Sequence, residues 1–244
     1  MTPELLVRHG PIEVLHLAPE GAGDDLVISF ASIGHDPSRP PSPEFLATAI
    51  GRGGRGPGRR ALFIQDADRS WGTAPEFATA LREAVDMLAA RAPIARVALV
   101  GMSMGACMAL RASHLVAADA VLAFGPQWSL SPAVIPGETR WQPWSQALTA
   151  CGPLGCMPPD GTATSLIAHG GRDDMDHAMA YPTSPTVDHL IFPDQDHSGL
   201  VAHLKARGSL PGLIEAALDA DRRRMLRILA SAGGINRRRL APSS

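Results

Sequence analysis

The chain has 244 residues, 45% apolar and 19% charged, enough for one α/β domain with a full core or at most two small ones. A formal net charge of −2 and a pI near 6.5 give no basic field for nucleic acid, and no stretch approaches the roughly 18 uninterrupted apolar residues of a membrane span. Three cysteines (Cys107, Cys151, Cys156) make no disulfide framework, and the N-terminus carries no basic-then-apolar leader, so a reduced, cytoplasmic protein is expected. Apolar runs at residues 5–8 and 12–18, split by Gly10-Pro11, predict an edge β-hairpin. Residues 25–30 predict an inner strand that empties into Ala31-Ser32-Ile33-Gly34 and a Pro-rich stretch over 36–43. A helix is expected from a Ser42 cap to Ile50, with Glu44 in its first turn.

The Gly- and Arg-rich run over 51–60 lacks Gly-Lys-Ser/Thr and leads into a strand, so it reads as a mobile surface loop rather than a phosphate cradle. The strand at 61–65 ends in an acidic, aromatic tip over 66–72. That tip is either an Asx-capped turn or a ligand contact at a strand's carboxyl end. A helix over 73–91 follows, with Phe77, Leu81, Val85 and Leu88 at helical spacing.

Within residues 95–111 the period changes. A β-branched, apolar strand stops at Gly101, passes Met102-Ser103-Met104, and gives way after Gly105 to helix formers reaching about residue 117. Gly-x-Ser-x-Gly between a strand and a helix has a steric logic: the turn strains the serine backbone, and flanking glycines let strand and helix approach closely. Ser103 Oγ is then held out into a cleft, and the Met104 N–H at the helix start is free to face an oxyanion.

A strand at 120–124 precedes a break in the alternation over 127–161, rich in proline and holding Trp128, Trp141 and Trp144. Strands at 164–169 and 187–192 return, each followed by a loop with acids and histidine. Helices are expected at 198–206 and 211–230, with a frayed basic tail over 233–244. Arginine supplies the positive charge apart from Lys205; with abundant Ala, Gly and Pro this reflects a GC-rich bacterial coding bias.

The 95–111 stretch resembles the nucleophile elbow of the α/β-hydrolase superfamily. That resemblance implies one domain over 1–244: a mostly parallel sheet of about eight strands, helices on both faces, and a short cap at 127–161. It implies Ser103 as nucleophile and, from the family order Ser, acid, His, an acid after the strand at 164–169. His169-Gly170-Gly171-Arg172-Asp173 resembles the family's His-Gly-x-x-Asp and points to Asp173, with Asp174 and Asp176 close enough to compete. Of nine histidines only His197 lies on the loop just past the last expected strand, at 187–192, where the family carries its base. By the same resemblance Met104 shares the oxyanion with Ala31 or Ser32, although the family's usual His-Gly after the third strand is absent.

The expected function is a serine hydrolase acting on an ester, thioester or amide. An acyltransferase with the same residues, or a non-catalytic hydrolase-like module, is the alternative. No cofactor and no metal are implied, and the partner is a small-molecule or glycan-linked acyl substrate. Trp128, Arg140, Trp141 and Trp144 are the candidate substrate-binding residues of the cap. A rival reading gathers Asp173, Asp174, Asp176, His177, Asp194, Asp196 and His197 around a metal, without a strong ligand spacing. Cys151 and Cys156 could make half a zinc site, but no second pair completes it.

Overall fold

Nearly every residue of β3 (Asp25–Phe30), β4 (Arg60–Asp66), β5 (Arg96–Met102), β6 (Ala120–Phe124), β7 (Thr164–Gly170) and β8 (Val187–Phe192) lies inside the protein. Such runs are apolar on both faces, which suits parallel strands covered by helices on each side. In the computed structural model all residues are described except 35, 37, 53–56, 149–153, 160–162 and 241–244. The predicted mobile loop over 51–60 and the Cys151 half of the cysteine pair therefore fall wholly or partly outside the described residues.

The sheet has nine strands in the order β1-β2-β4-β3-β5-β6-β7-β8-β9. The hairpin of β1 (Glu4–His9) and β2 (Ile12–Leu17) joins antiparallel to β4, and β9 (Ile235–Asn236) joins antiparallel to β8. The strands between are mutually parallel. From β3 the chain crosses first to β4 on one side and later to β5 on the other. The carboxyl ends of β3 and β5 thus flank a topological switch point, where open α/β sheets form their crevice.

Two hydrophobic layers cover the sheet. On one face α2 (Phe77–Arg91) and α3 (Met104–Ala112) pack with Leu130, Trp141 and Leu154 of the segment after β6. On the other lie α1 (Leu46–Ala49), α6 (Gly199–Ala206), α7 (Ser209–Leu218) and α8 (Arg222–Ser231). The remaining helices are α4 (Gln142–Leu148) and α5 (Met175–Ala180). No helix of the described residues is long and apolar enough to cross a membrane.

Several expected boundaries move for local reasons. The helix expected over 42–50 is only the single turn α1, because Phe45 sits in the left-handed region at φ 56°. The helix expected over 211–230 is two, broken at Ala220 (φ 49°) and restarted by Asp221, whose carboxylate caps the Arg224 N–H at 2.9 Å. The frayed tail is a larger correction. Residues 235–236 add an edge strand, and Arg237 is buried with its guanidinium donating to the carbonyls of Ala178 and Tyr181. A buried cation that caps two carbonyls fixes the chain up to residue 239.

Replacing Arg237 with alanine strips those buried carbonyls of their donors. The expected loss is about 1–3 kcal/mol in denaturant unfolding with an unchanged m-value. An unfolding midpoint equal to wild type would show the tail to be dispensable.

Candidate active site

Ser103 stands between β5 and α3 at φ 56° and ψ −124°, a conformation that costs a non-glycine residue on the order of 1–3 kcal/mol. The surroundings enforce it. A Cβ on Gly101 would lie 2.1 Å from the Gly105 carbonyl oxygen, and one on Gly105 would lie 2.1 Å from that of Phe30. Only glycine permits strand, turn and helix to come this close. The Ser103 N–H donates to the Phe124 carbonyl at 2.8 Å, fastening the turn to the end of β6.

Ser103 Oγ lies 2.9 Å from His197 Nε2, and His197 Nδ1 lies 2.7 Å from Asp174 Oδ2; all three side chains are buried. With Nδ1–H donating to the carboxylate, Nε2 is left to accept the serine proton. Asp174 sits at the start of α5 without capping it, so its carboxylate is free to turn toward the imidazole. Burial opposes ionisation of Asp174, but the His197 hydrogen bond and charge outweigh it and bring its pKa down to about 2.

The carboxylate that meets the imidazole is thus that of Asp174, one residue beyond the expected Asp173. Asp173 is exposed and accepts the His197 backbone N–H at 2.7 Å, so it holds the loop while Asp174 holds the ring. The register is set by close packing of two loops. A Cβ on Gly170 would strike the Asp196 backbone at 2.6 Å, and one on Gly171 would strike Pro193 at 2.7 Å. Asp176 is exposed and makes none of these bonds.

Arg140 is a second correction. It does not face the cleft. Its guanidinium contacts Glu138 at 2.7 Å, Asp174 Oδ1 at 2.9 Å and Asp173 at 3.3 Å, and its Cζ lies 5.3 Å from the Trp141 ring centroid. Buried Glu138 also meets His177 Nε2 at 2.7 Å, while the Trp128 N–H donates to His177 Nδ1 at 3.1 Å. Burial would raise the Glu138 pKa, but the Arg140 and His177 hydrogen bonds bring it down to about 2.

Among the tryptophans, Trp141 packs against His197, ring centroids 5.1 Å apart, and lines the cleft. Trp128 instead packs edge-on to Tyr181 and Trp144 against Trp71, so neither forms a cleft wall. Of the three tryptophans, Trp141 alone lines the cleft.

The two loop amides offered after β3 differ in what they already bind. The Ala31 N–H is committed to the Ile64 carbonyl at 3.0 Å, which removes it as a candidate. Ser32, next along, lines the cleft with Ser103 and His197, and its hydroxyl donates to Glu44. The Met104 N–H opens α3 and has no acceptor within the helix. Behind this loop Arg69 is buried and donates to the carbonyls of Ile33 (3.0 Å) and Arg39 (2.6 Å). The acidic tip after β4 is thus a turn, with Asp66 accepting from Ser70, that aims Arg69 at the loop after β3.

The cleft, about 630 Å³, opens from Ser103 between Phe45, Leu46, Met102, Trp141, Val201 and Leu210. Glu44 and Lys205 are its charged members. Among the described residues no three His, Cys, Asp or Glu side chains gather where an ion could be held. In the proposed metal cluster Asp174 and His177 are taken by the bonds above, and Asp196 accepts the Gly199 N–H at 2.7 Å.

Two participants escaped sequence reasoning. Gln127, three residues past the end of β6, is buried and donates from Nε2 to Ser103 Oγ at 2.9 Å, while its Oε1 accepts Trp71 Nε1–H at 2.9 Å. The signal available was positional: β6 pairs with β5, the strand that carries Ser103, so a polar residue just past its end can reach the serine. Arg69 had no comparable signal, since its partners are backbone carbonyls distant in sequence.

The chain has the α/β-hydrolase fold. In comparisons with solved structures it superimposes at a TM-score of 0.59 on a 2,6-dihydroxy-pseudo-oxynicotine hydrolase, 16% identical, over 90% of this chain and 68% of the other. A Pyrococcus furiosus esterase, 14% identical, gives 0.55 over 85% and 87%. A Xanthomonas campestris α/β serine hydrolase without lid, 18% identical, gives 0.51 over 85% and 91%. No protein-family model matches the chain, and no curated protein matches it in sequence.

Beneath the site lies a buried histidine pair. His169 Nε2–H donates to the Pro126 carbonyl at 2.9 Å, so Nδ1 accepts from His189 Nε2 at 2.8 Å, and both rings are neutral. Burial pushes the His169 pKa down to about 4 and that of His189 to about 2. Both lie below the unfolded value of about 6.5, so the unfolded chain binds more protons than the folded one as pH falls from 6.5 toward 4. Stability is thus expected to drop across that window, by up to about 1.4 kcal/mol per pH unit for each histidine. A melting temperature that stays level between pH 7 and pH 5 would contradict the neutral pair.

Proposed function

We propose that this protein is a serine hydrolase that cleaves a carboxylic ester, thioester or amide through an acyl-enzyme on Ser103. The observation that carries the reading is the buried chain Ser103 Oγ, His197, Asp174, set on a strained turn at the mouth of an apolar cleft. His197 takes the serine proton as Oγ bonds to the carbonyl carbon, and returns it to the leaving group as the tetrahedral intermediate collapses. Asp174 keeps Nδ1 protonated and supports the imidazolium. The amides of Met104 and Ser32 receive the carbonyl oxygen's negative charge, a contribution worth roughly 10²–10³ in rate for one donor. Water in place of the leaving group completes hydrolysis.

The substrate class follows from the walls. Phe45, Leu46, Met102, Val201 and Leu210 suit an apolar acyl or alcohol portion of a small molecule, and Arg140, spent on three carboxylates, contributes no charge to it. The solved structures of the same fold include a hydrolase and an esterase, which supports hydrolysis over a non-catalytic module. Transfer to a hydroxyl acceptor uses the same residues and differs only in what enters the cleft for the second step.

Ser103→Ala is expected to fold as wild type, lose hydrolysis of a medium-chain p-nitrophenyl ester, and resist labelling by a fluorophosphonate. Undiminished labelling of that variant would sink the assignment. Between the two acids, Asp174→Asn should lower kcat about 10⁴-fold through the wrong imidazole tautomer. Asp173→Asn, which keeps an acceptor for the His197 N–H, should lower it by no more than about tenfold. Equal losses in steady-state assays would refute the division of roles.

A further inference from the structure

Gln127 makes a contact that the serine, histidine and acid do not require. Its carboxamide orientation is fixed by chemistry. The indole N–H of Trp71 can only donate, so the atom facing it at 2.9 Å is Oε1 and the atom facing Ser103 Oγ at 2.9 Å is the NH₂ group. Both ends of the contact are anchored: Trp71 is fully buried at φ 55°, and Gln127's own carbonyl accepts from Cys107 Sγ at 3.4 Å and Tyr181 Oη at 3.4 Å. The residue is 1% exposed, so the amide has no water to trade for these partners.

We propose that Gln127 is a catalytic residue that donates to the nucleophile's own oxygen. The proposal rests on the serine-hydrolase reading above. With Oγ accepting from Gln127, the serine hydroxyl proton is left to point at His197 Nε2, so the amide sets the rotor for proton transfer. As the proton passes to His197 and the Oγ electron pair moves toward the carbonyl carbon, negative charge grows on Oγ before the new bond absorbs it. A hydrogen bond to a charging oxygen strengthens during that interval. In the second half-reaction the C–Oγ bond breaks, the electron pair returns to Oγ and the proton comes back from His197. The same N–H then stabilises the departing oxygen. The amide keeps its protons throughout.

Two substitutions separate this role from scaffolding. Gln127→Glu keeps size and an acceptor for Trp71, yet presents a carboxylate that competes with His197 for the serine proton. Gln127→Met keeps volume and removes the donor. The readout is the second-order rate of fluorophosphonate labelling at Ser103, measured from pH 5 to pH 9 beside melting temperature. Expected are variants that melt cooperatively and label about 10- to 100-fold more slowly than wild type. The Gln127→Glu deficit should shrink toward low pH, where the protonated carboxyl donates as the amide did; a merely structural residue would give no such pH dependence. Wild-type rates in both variants, or a deficit tracking only lowered stability, would overturn the role while leaving the triad standing. A wild-type protein that is not labelled at Ser103 would overturn the serine-hydrolase reading and this proposal with it.

Discussion

The backbone at Ser103 is held where a side-chain-bearing residue does not rest, and most of the site's geometry follows from that one constraint. The turn survives because β5 and α3 close on each other through Gly101 and Gly105, and because α3 is buried along almost its whole length. A strain of a few kcal/mol is tolerable only inside packing of that extent. It leaves Oγ projecting beyond the sheet edge, with the first amide of α3 directly behind it. The adjoining strand ends then supply what a hydroxyl needs: β6 the Gln127 amide, β7 the Asp174 carboxylate, and the loop after β8 the His197 ring.

The segment after β6 reaches the site through Trp141 and braces it through Arg140. Arg140 joins Glu138, Asp173 and Asp174 into one ion network, so the position of the acid depends on residues 138–140. Partly buried networks of this kind add little net stability but are costly to break, since each removed charge leaves another unpaired. Together with His177 and Trp128 they specify a single arrangement of the acid loop. A corresponding brace on the other side is Arg69, which ties four backbone carbonyls of the loops after β3 and β4.

What was legible in the sequence is what short-range sterics dictate. Gly-x-Ser-x-Gly between strand and helix names its own geometry, and β3, β6 and β8 have the expected ends because their apolar runs stop abruptly. His197 was legible from its place after a strand. The choice between Asp173 and Asp174 stayed open because the register of that loop depends on how closely Gly170 and Gly171 let two loops meet, a tertiary fact. Ala31 and Ser32 could not be separated without knowing that the pairing of β3 with β4 extends to the Ala31 N–H. Arg140 was expected at the substrate and lies instead among three carboxylates, since nothing local reveals which way a long side chain turns. The ordered tail rests on one buried arginine among three in a row, indistinguishable by composition.

The central claim is that His197, which meets Ser103 Oγ through Nε2, is held at Nδ1 by Asp174 and not by Asp173. Proton NMR of ¹⁵N-histidine-labelled protein tests it most directly. The account predicts a strongly deshielded Nδ1–H resonance belonging to His197 that vanishes in Asp174→Asn and persists in Asp173→Asn. A resonance untouched by Asp174→Asn, or lost in Asp173→Asn alone, would contradict it.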